Sequence, residues 1–503
     1  MKPEDFAIGR RGLMKGAGSL AAGAVLAAPM SMMYAHNASA ATAIGNSPYG
    51  PLSPVADLET GLELLQLPPG FSYRSMSWTG DLMSNGQPVH RGHDGMGAIA
   101  IGRGRNQRIV LIRNHERSAD DEFGLLNAPG VYDANVRGGS SVPNSGGNSN
   151  VIVARGRHVE TQPSLGGTIR NCAGGQTPWG TWLSCEETID VNANGNVKHG
   201  YVFEVGTDIN TVTGNPIIEM GRFPHEAVAV DPATSFVYET EDARNRAGFY
   251  KFEPTDTSQR LGSLEQGGKL FMAKVVGVTN QSLIVPKLGD AYDIEWVEIE
   301  DPDADPDGAD VVVEPDTGLT VTGATGPFLQ GFAQGGLVMS RGEGAWTGPD
   351  GLIYIVDTSA GVASDGRRGR GEGAVWAYDP VAQRMECIYA SESKIAGNNP
   401  DNITVSPRGG ILLCEDGGGV EDEFGFGERL LGLLPNGQAY PFAKNNIVID
   451  DDDLRRAGKS TTLGLAGDRR RQEWAGACFD PTGRILFVNI QTPGITFAIS
   501  GPW

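Results

Sequence analysis

The feature that most constrains this chain is a recurring unit of short apolar runs around a tight Asp-Pro or Asp-Gly turn. Each unit starts with one run, turns, continues in a second run that ends in an acid or amide, and leads through a loop into a third. Runs of four or five β-branched residues bounded by turn formers predict strands. The four clearest units begin at Glu226, Glu343, Pro400 and Gly476.

This repetition predicts an all-β chain that folds as a single β-propeller of about six blades, with loops inserted unevenly. A β-sandwich or two separate β-domains also fit the pattern. Glycine content agrees with frequent tight turns, because 72 of the 503 residues are glycine, about twice the usual share. We expect the propeller to occupy residues 41–503.

Charge and cysteine content exclude several classes of protein. The chain has 40 Lys and Arg against 61 Asp and Glu, which gives a net charge of −21. Binding to nucleic acid or to an anionic membrane surface requires a basic face, so both functions are excluded. Five cysteines in a chain of this length do not form a disulfide scaffold.

Residues 1–40 have the pattern of an export signal. The paired Arg10 and Arg11 precede a weakly apolar run over residues 16–33, and Ala38-Ser39-Ala40 matches a cleavage site. This order predicts a twin-arginine signal peptide, with an ordinary secretory signal or a membrane anchor as alternatives. The twin-arginine machinery carries folded proteins, so we expect a periplasmic or extracellular protein whose cofactor is loaded before export and which is not membrane-embedded after processing.

Acidic residues recur at the starts and ends of the predicted strands. In a propeller the inner strands surround one funnel, so acids from different blades converge there. Converging carboxylates repel each other unless cations bind them, and oxygen-rich sites suit Ca²⁺, Mg²⁺ or Mn²⁺. Each cluster taken alone also fits a solvated turn or a helix cap. The clusters are Asn114-His115-Glu116, Cys185-Glu186-Glu187, His225-Glu226, Glu241-Asp242, Arg341-Gly342-Glu343, Asp401-Asn402 and Glu415-Asp416.

Cys185 stands at the end of a predicted strand, directly before two acids. A thiolate among carboxylates needs a metal that accepts both ligand types, such as iron or zinc. Cys185 also fits a buried structural cysteine, or a disulfide with Cys172. His115 and His225 each precede an acid, and strand alternation points neighbours in opposite directions, so they fit second-layer or core positions.

Other motifs add little. The chain contains no G-x-S-x-G nucleophile elbow and no phosphate-binding P-loop. Residues 303–314 match the calcium loop of an EF-hand, from Asp303 to Glu314, but no flanking helices are predicted. The match therefore indicates either a peripheral calcium site or an acidic linker.

Two long runs resemble a known family. Both runs are long and distinctive. They cover residues 170–188, from Arg170 to Thr188, and residues 488–503 at the C-terminus. Together with the twin-arginine signal and Asn114-His115-Glu116, the chain resembles the PhoX family of secreted bacterial alkaline phosphatases over residues 60–503. The resemblance implies a six-bladed propeller whose iron (Fe3+) and calcium (Ca2+) cluster hydrolyses phosphate monoesters.

The resemblance also implies roles for single residues. Cys185 matches the thiolate ligand of iron, and Arg341 matches the arginine that grips the phosphate. Asn114 matches a residue at the rim of the same site, and we expect it to be a catalytic residue together with Arg341. The expected metal ligands are Cys185, Glu116, Glu186, Glu226, Glu241, Asp242, Glu343, Asp401 and Glu415.

The expected partners are small phosphomonoester substrates and the twin-arginine export machinery. Two other functions fit an acidic funnel that binds calcium alone. One is a calcium-dependent propeller hydrolase of the lactonase type, and the other is a non-catalytic binding propeller. Iron together with calcium favours the phosphatase.

Overall fold

A computed structural model of the protein describes residues 44–117, 126–134, 146–192 and 196–503. The predicted signal peptide over residues 1–40 lies outside the described residues. Within the described ranges, no helix has the length and apolar character needed to cross a membrane. Two short helices are described, α1 (Gly326–Ala333) and α2 (Asp451–Arg456).

Strands dominate the described residues, which confirms the all-β prediction. In chain order the strands are β1 Ser53–Val55, β2 Leu65–Leu67, β3 Ser72–Met76, β4 His93–Ile101, β5 Arg108–His115, β6 Gly130–Val131, β7 Gly147–Ala154, β8 Arg157–Gly166, β9 Asn171–Gln176, β10 Thr181–Glu186, β11 Val191–Asn192, β12 Val197–Lys198, β13 Val202–Gly206, β14 His225–Val230, β15 Val237–Glu241, β16 Phe249–Pro254, β17 Gly268–Val275, β18 Ala291–Ile299, β19 Val311–Glu314, β20 Leu319–Val321, β21 Gly342–Thr347, β22 Ile353–Asp357, β23 Ala374–Asp379, β24 Arg384–Ala390, β25 Pro400–Val405, β26 Ile411–Glu415, β27 Val420–Asp422, β28 Gly425–Gly427, β29 Arg429–Leu433, β30 Ala439–Asn445, β31 Val448–Ile449, β32 Gly467–Asp468, β33 Trp474–Phe479, β34 Ile485–Ile490 and β35 Ile495–Ser500.

Six of these strands form a closed ring around one axis. Each contacts the next in the order β4, β9, β14, β21, β25 and β33, and β33 contacts β4 again. From each inner strand an antiparallel sheet runs outward, as in β14-β15-β16-β17 or β25-β26-β29-β30. This arrangement confirms a single propeller and excludes the sandwich alternative.

The number of separate sheets differs slightly from the expected number of blades. β18 pairs with both β17 and β24, so the sheets that begin at β14 and β21 merge into one nine-stranded sheet. The ring is closed by the N-terminal β3, whose residues Ser72–Met76 pair with Ser500–Thr496 of the C-terminal strand β35. A sheet that combines both ends of the chain ties the first blade to the last.

Apolar side chains fill the spaces between neighbouring blades. Trp182, Trp376 and Trp474 each belong to a different buried cluster and are at most 1% exposed. Along the axis the inner strands carry small residues, among them Gly95, Ala173, Ala227, Gly344 and Ala477, and the space left between them is about 10 Å³. Because one water molecule needs about that volume, the axis is closed midway. The funnel above it therefore has a solid floor.

Candidate metal centre

Each inner strand has a β-bulge at the same place, close to its first residue. In β4, His93 pairs with His115 and Met96 with Arg113, so that Asp94 and Gly95 together oppose the single residue Asn114. The same register shift occurs in β9, β14, β21, β25 and β33. A bulge changes the direction of side chains at that point of a strand. The first bulge residues are Asp94, Cys172, Glu226, Glu343, Asp401 and Gly476.

Five of these six residues bring acidic or thiol groups together, and a second tier of acids joins them. Glu116, Glu187 and Asp416 each directly follow the second strand of a blade, and Glu473 precedes β33. These residues form four overlapping groups of three. Within each group, the atoms that could bind a metal lie within 4.8 Å of one another. The groups are Asp94 with Glu116 and Cys172, Cys172 with Glu187 and Glu226, Glu226 with Glu343 and Asp401, and Asp401 with Asp416 and Glu473. We call these nine residues the funnel cluster.

Two arginines stand at the rim of the funnel cluster. Arg341 donates from Nε and Nη2 to both carboxylate oxygens of Asp242, and its Nη2 lies 2.9 Å from Glu343 Oε1. Arg170 donates to Glu116 Oε1 at 3.1 Å and to Glu187 Oε2 at 2.6 Å. The two arginines precede equivalent inner strands, β21 and β9. In both, Nη1 makes no hydrogen bond to the described residues, so it can donate to an anion.

Burial of the funnel cluster strongly affects its ionisation. Burial, followed by the charges of Glu343 and Asp401, raises the pKa of Glu226 well above its usual range. Burial and the charge of Asp416 raise the pKa of Asp401 to about 7. The pKa of the Cys172 thiol is also raised, by burial first and then by Asp94 and Glu226. Each of these shifts favours the protonated form of the group, and a bound cation would favour the deprotonated form instead.

The donor set fits bound metal. Glu226 is fully buried, and its Oε2 accepts no hydrogen bond from the described residues. The Cys172 Sγ donates to Glu226 Oε1 at 3.2 Å and faces Asp94 Oδ2 at 3.8 Å. A buried carboxylate oxygen without a donor is costly, and a cation would satisfy it. One sulfur among eight carboxylates suits a transition metal beside hard cations such as Ca²⁺.

The structure corrects the placement of Cys185. This residue is the single partner opposite the β9 bulge, and it is packed in an apolar cluster with Leu183 and Val202. The charge that acts on its thiol is that of Glu239 rather than those of the funnel cluster, and burial raises its pKa. Cys172 and Cys185 are both free thiols, so the disulfide alternative is wrong as well. The cysteine in the funnel cluster is Cys172.

Three predicted acidic ligands also lie elsewhere, because each is the last residue of a second strand and its side chain is directed into the blade. Glu186 accepts hydrogen bonds from the backbone of Ile169 and from His199. Glu241 accepts from the backbone of Gly248 and from the hydroxyls of Tyr250 and Thr325. Glu415 forms a fully buried ion pair with Arg429 at 2.7 Å. All three hold their own blades together.

Asn114 is likewise a buried structural residue. It occupies the position opposite the β4 bulge, where its Nδ2 donates to the backbone oxygens of Cys172 and Ala173. Its Oδ1 accepts from the indole of Trp182 at 2.9 Å. These bonds fasten blade one to blade two directly behind Cys172, and they leave the amide no access to the funnel.

Of the predicted ligands, the funnel cluster contains Glu116, Glu226, Glu343 and Asp401. Asp242 lies beside it, bound to Arg341. Sequence reasoning missed five members, which are Asp94, Cys172, Glu187, Asp416 and Glu473. Three of them had a usable signal, because Cys172, Glu187 and Asp416 lie in or directly beside runs that the sequence analysis singled out.

The stretch that matches an EF-hand loop has other contacts. Asp303 accepts from Tyr201 Oη at 2.7 Å and from Lys198 Nζ, and Asp305 pairs with Arg222 at 2.6 Å. Arg368 donates from Nε and Nη2 to the two carboxylate oxygens of Glu314, the last residue of the motif. Because basic side chains occupy these carboxylates, the structure favours the acidic-linker interpretation.

Comparisons with known proteins identify the family of the chain. A family model described as alkaline phosphatase PhoX matches residues 47–494. The chain belongs to the PhoX alkaline phosphatase family. No curated protein sequence matches the chain.

Among solved structures, the chain is similar to Pseudomonas fluorescens PhoX in complex with vanadate, a transition state analogue. That match has 17% identity and a TM-score of 0.60, and it covers 90% of this chain and 98% of the other. It shows that this chain has the PhoX fold. A virginiamycin B lyase from Staphylococcus aureus matches at 11% identity, over 86% of this chain and 99% of the other, with a TM-score of 0.35.

Proposed function

We propose that this member of the PhoX family is an exported, metal-dependent alkaline phosphatase that hydrolyses small phosphate monoesters and releases inorganic phosphate. The observation that carries the proposal is the funnel cluster, in which eight carboxylates and one thiol converge beside two arginines. Family membership supplies the reaction class, and the cluster supplies a means to perform it in a protein with a net charge of −21.

The cluster would hold iron (Fe3+) near Cys172 and calcium (Ca2+) among the carboxylates. When bound, these cations supply the positive charge that neutralises phosphate oxygens and the charge that develops in the transition state. Cys172 belongs to the first two groups of the cluster, and Glu226 belongs to the second and third. The fourth group, of Asp401, Asp416 and Glu473, is the least buried, and so it faces the side from which a substrate enters.

Arg341 positions the phosphate in this proposal. Asp242 and Glu343 hold its Nε and Nη2, so the guanidinium is oriented before a substrate arrives. Its free Nη1 can then donate to an equatorial phosphate oxygen at little entropic cost. Arg170, held by Glu116 and Glu187 in the same way, can contact the phosphate from the rim two blades away.

Export belongs to the same proposal. The paired Arg10 and Arg11 and the Ala38-Ser39-Ala40 cleavage pattern support the twin-arginine route to the periplasm or the exterior. That route carries folded proteins, so the cluster would be loaded before export.

The test measures hydrolysis of p-nitrophenyl phosphate by the purified holoprotein, with and without a chelator. We expect the chelator to abolish turnover and iron with calcium to restore it. An Arg341→Ala variant should lose about 100-fold in kcat/KM, whereas Arg367→Ala, which removes an exposed arginine paired with Asp365, should lose none. Full turnover after complete removal of metal would overturn the proposal, and hydrolysis of a lactone without phosphate turnover would favour the lactonase alternative.

A further inference from the structure

Two arginines near the funnel have no carboxylate partner among the described residues. Arg244 donates from Nη1 to the backbone oxygen of Gly369 at 2.9 Å, and Arg370 is exposed and makes no ion pair. Their neighbours differ, because Arg341 is bound by Asp242 and Arg368 by Glu314.

Both arginines lie beside the proposed phosphate site. Arg244 follows two residues after Asp242, which holds Arg341. Its bond to Gly369 brings it next to Arg370, the following residue. Burial, and then the charges of Arg341 and Arg370, lower the pKa of Arg244 more than Asp242 and Glu343 raise it, so Arg244 and these two arginines repel one another. An anion placed there would relieve their mutual repulsion.

The loop that carries Arg370 is held in a fixed position. Arg368 binds both oxygens of Glu314, at 2.6 and 2.7 Å. Gly369 donates its backbone N–H to Gly361 O, and its own oxygen also accepts from Ser340 Oγ. Gly369 has φ +62°, and a Cβ there would collide with Asn245. The backbone beside Arg370 is therefore fixed, and the Arg244 side chain is held by its bond to Gly369 before an anion binds.

We propose that Arg244 and Arg370 form a second anion subsite, which binds an anionic group on the leaving group of the substrate. This inference rests on the proposed phosphatase function and names its preferred substrates, which are phosphomonoesters that carry a further carboxylate or phosphate. The scissile phosphate lies at the funnel cluster and Arg341, and the second anion lies at the pair beside them. Planar guanidinium groups suit both carboxylate and phosphate.

The test compares substrates matched except for the second anion, on the metal-loaded full chain. Glycerol 3-phosphate has a neutral leaving group, and 3-phosphoglycerate carries a carboxylate in its place. Fructose 6-phosphate and fructose 1,6-bisphosphate repeat the comparison with a second phosphate, and so distinguish the two sources of charge. Initial phosphate release gives kcat and KM for each.

We expect the wild-type chain to favour the anionic member of at least one pair. The double variant Arg244→Gln with Arg370→Gln should lower kcat/KM for that member about tenfold, through KM, because a charged hydrogen bond is lost. Its kcat/KM for glycerol 3-phosphate should stay within about twofold. Arg367→Gln, in the same loop but paired with Asp365, is the matched control and should change neither.

Equal losses on both members of each pair, or no loss on any, would overturn the subsite. If the wild-type chain hydrolyses the neutral substrates but does not discriminate, the subsite is wrong and the phosphatase function stands. If it hydrolyses none of the four, the phosphatase function is wrong and the subsite is wrong with it.

Discussion

The two cysteines at the start of the second blade provide a matched pair of perturbations. Cys172→Ala removes the sulfur that contacts Glu226 Oε1 at 3.2 Å and that belongs to two of the four ligand groups. Even changes in residues that only support a metal ligand weaken metal affinity 10- to 100-fold. Removal of the ligand itself should therefore cost at least about 100-fold in iron affinity and a comparable factor in turnover.

Cys185→Ala removes a sulfur thirteen residues later in the same hairpin, but from an apolar environment. Cys185 is fully buried among Leu183, Val202 and their neighbours, so its loss creates a small cavity. The cost is about 1 kcal/mol of unfolding free energy. For a chain of this size, that corresponds to a fall in Tm of about 1 °C.

The assay measures iron and calcium content, p-nitrophenyl phosphate turnover and Tm for both variants. We expect Cys172→Ala to lose iron and turnover, and Cys185→Ala to keep both with a slightly lower Tm. The reverse outcome, in which Cys185→Ala loses iron and Cys172→Ala keeps it, would refute the placement of the thiol ligand.

Three further predictions follow from buried groups. The pKa of Asp401 is raised to about 7 in the folded protein without metal, so this form binds more protons than the unfolded chain between about pH 4 and 7. Thermal melts in chelator should therefore show a Tm that falls as pH rises through this window. A Tm that rises with pH would contradict the raised pKa of Asp401. Gly476 has φ +60°, and in Gly476→Ala the new Cβ would collide with the backbone oxygen of Asp94. Denaturant titrations should show that the unfolding free energy falls by about 2 kcal/mol or more. An unchanged denaturation midpoint would contradict this prediction. Glu415→Gln leaves Arg429 buried without its partner, so denaturant titrations should show a loss of about 3–5 kcal/mol while elemental analysis finds unchanged metal content; loss of metal would instead indicate a ligand.

The fold was predictable because its signals are local. Short β-branched runs and Asp-Pro or Asp-Gly turns recur in each blade, and their order leads directly to antiparallel sheets around an axis. The fusion of two blades through β18 was not predictable, because the Ala291–Ile299 strand pairs with Arg384–Ala390, almost one hundred residues later. Such pairing depends on tertiary placement rather than on local pattern.

The site was harder to predict, because its geometry depends on bulges. Two acids stand together at the end of the second strand in Glu186-Glu187, Glu241-Asp242 and Glu415-Asp416. In each pair the first residue is directed into the blade and the second toward the funnel. A shift of one residue in strand register would exchange the acid that faces the funnel for the acid that faces the blade. The sequence alone does not indicate that register.

The bulge has the same effect on the inner strands. Cys172 and Cys185 face each other across the β9–β10 pair, and only the bulge directs Cys172 toward the axis while Cys185 stays in the core. Glu226, Glu343 and Asp401 were found because each begins a clear repeat unit. Asp94 was missed although its strand begins His-Asp-Gly, much as β14 begins His-Glu-Ala, because no clear repeat unit begins there.

Elemental analysis of the purified, exported protein tests the central claim most directly, when turnover of p-nitrophenyl phosphate is measured on the same sample. The funnel cluster predicts iron and calcium together, bound in stoichiometric amounts, with turnover that is lost when a chelator removes them. Full turnover in protein that contains neither metal would contradict the account.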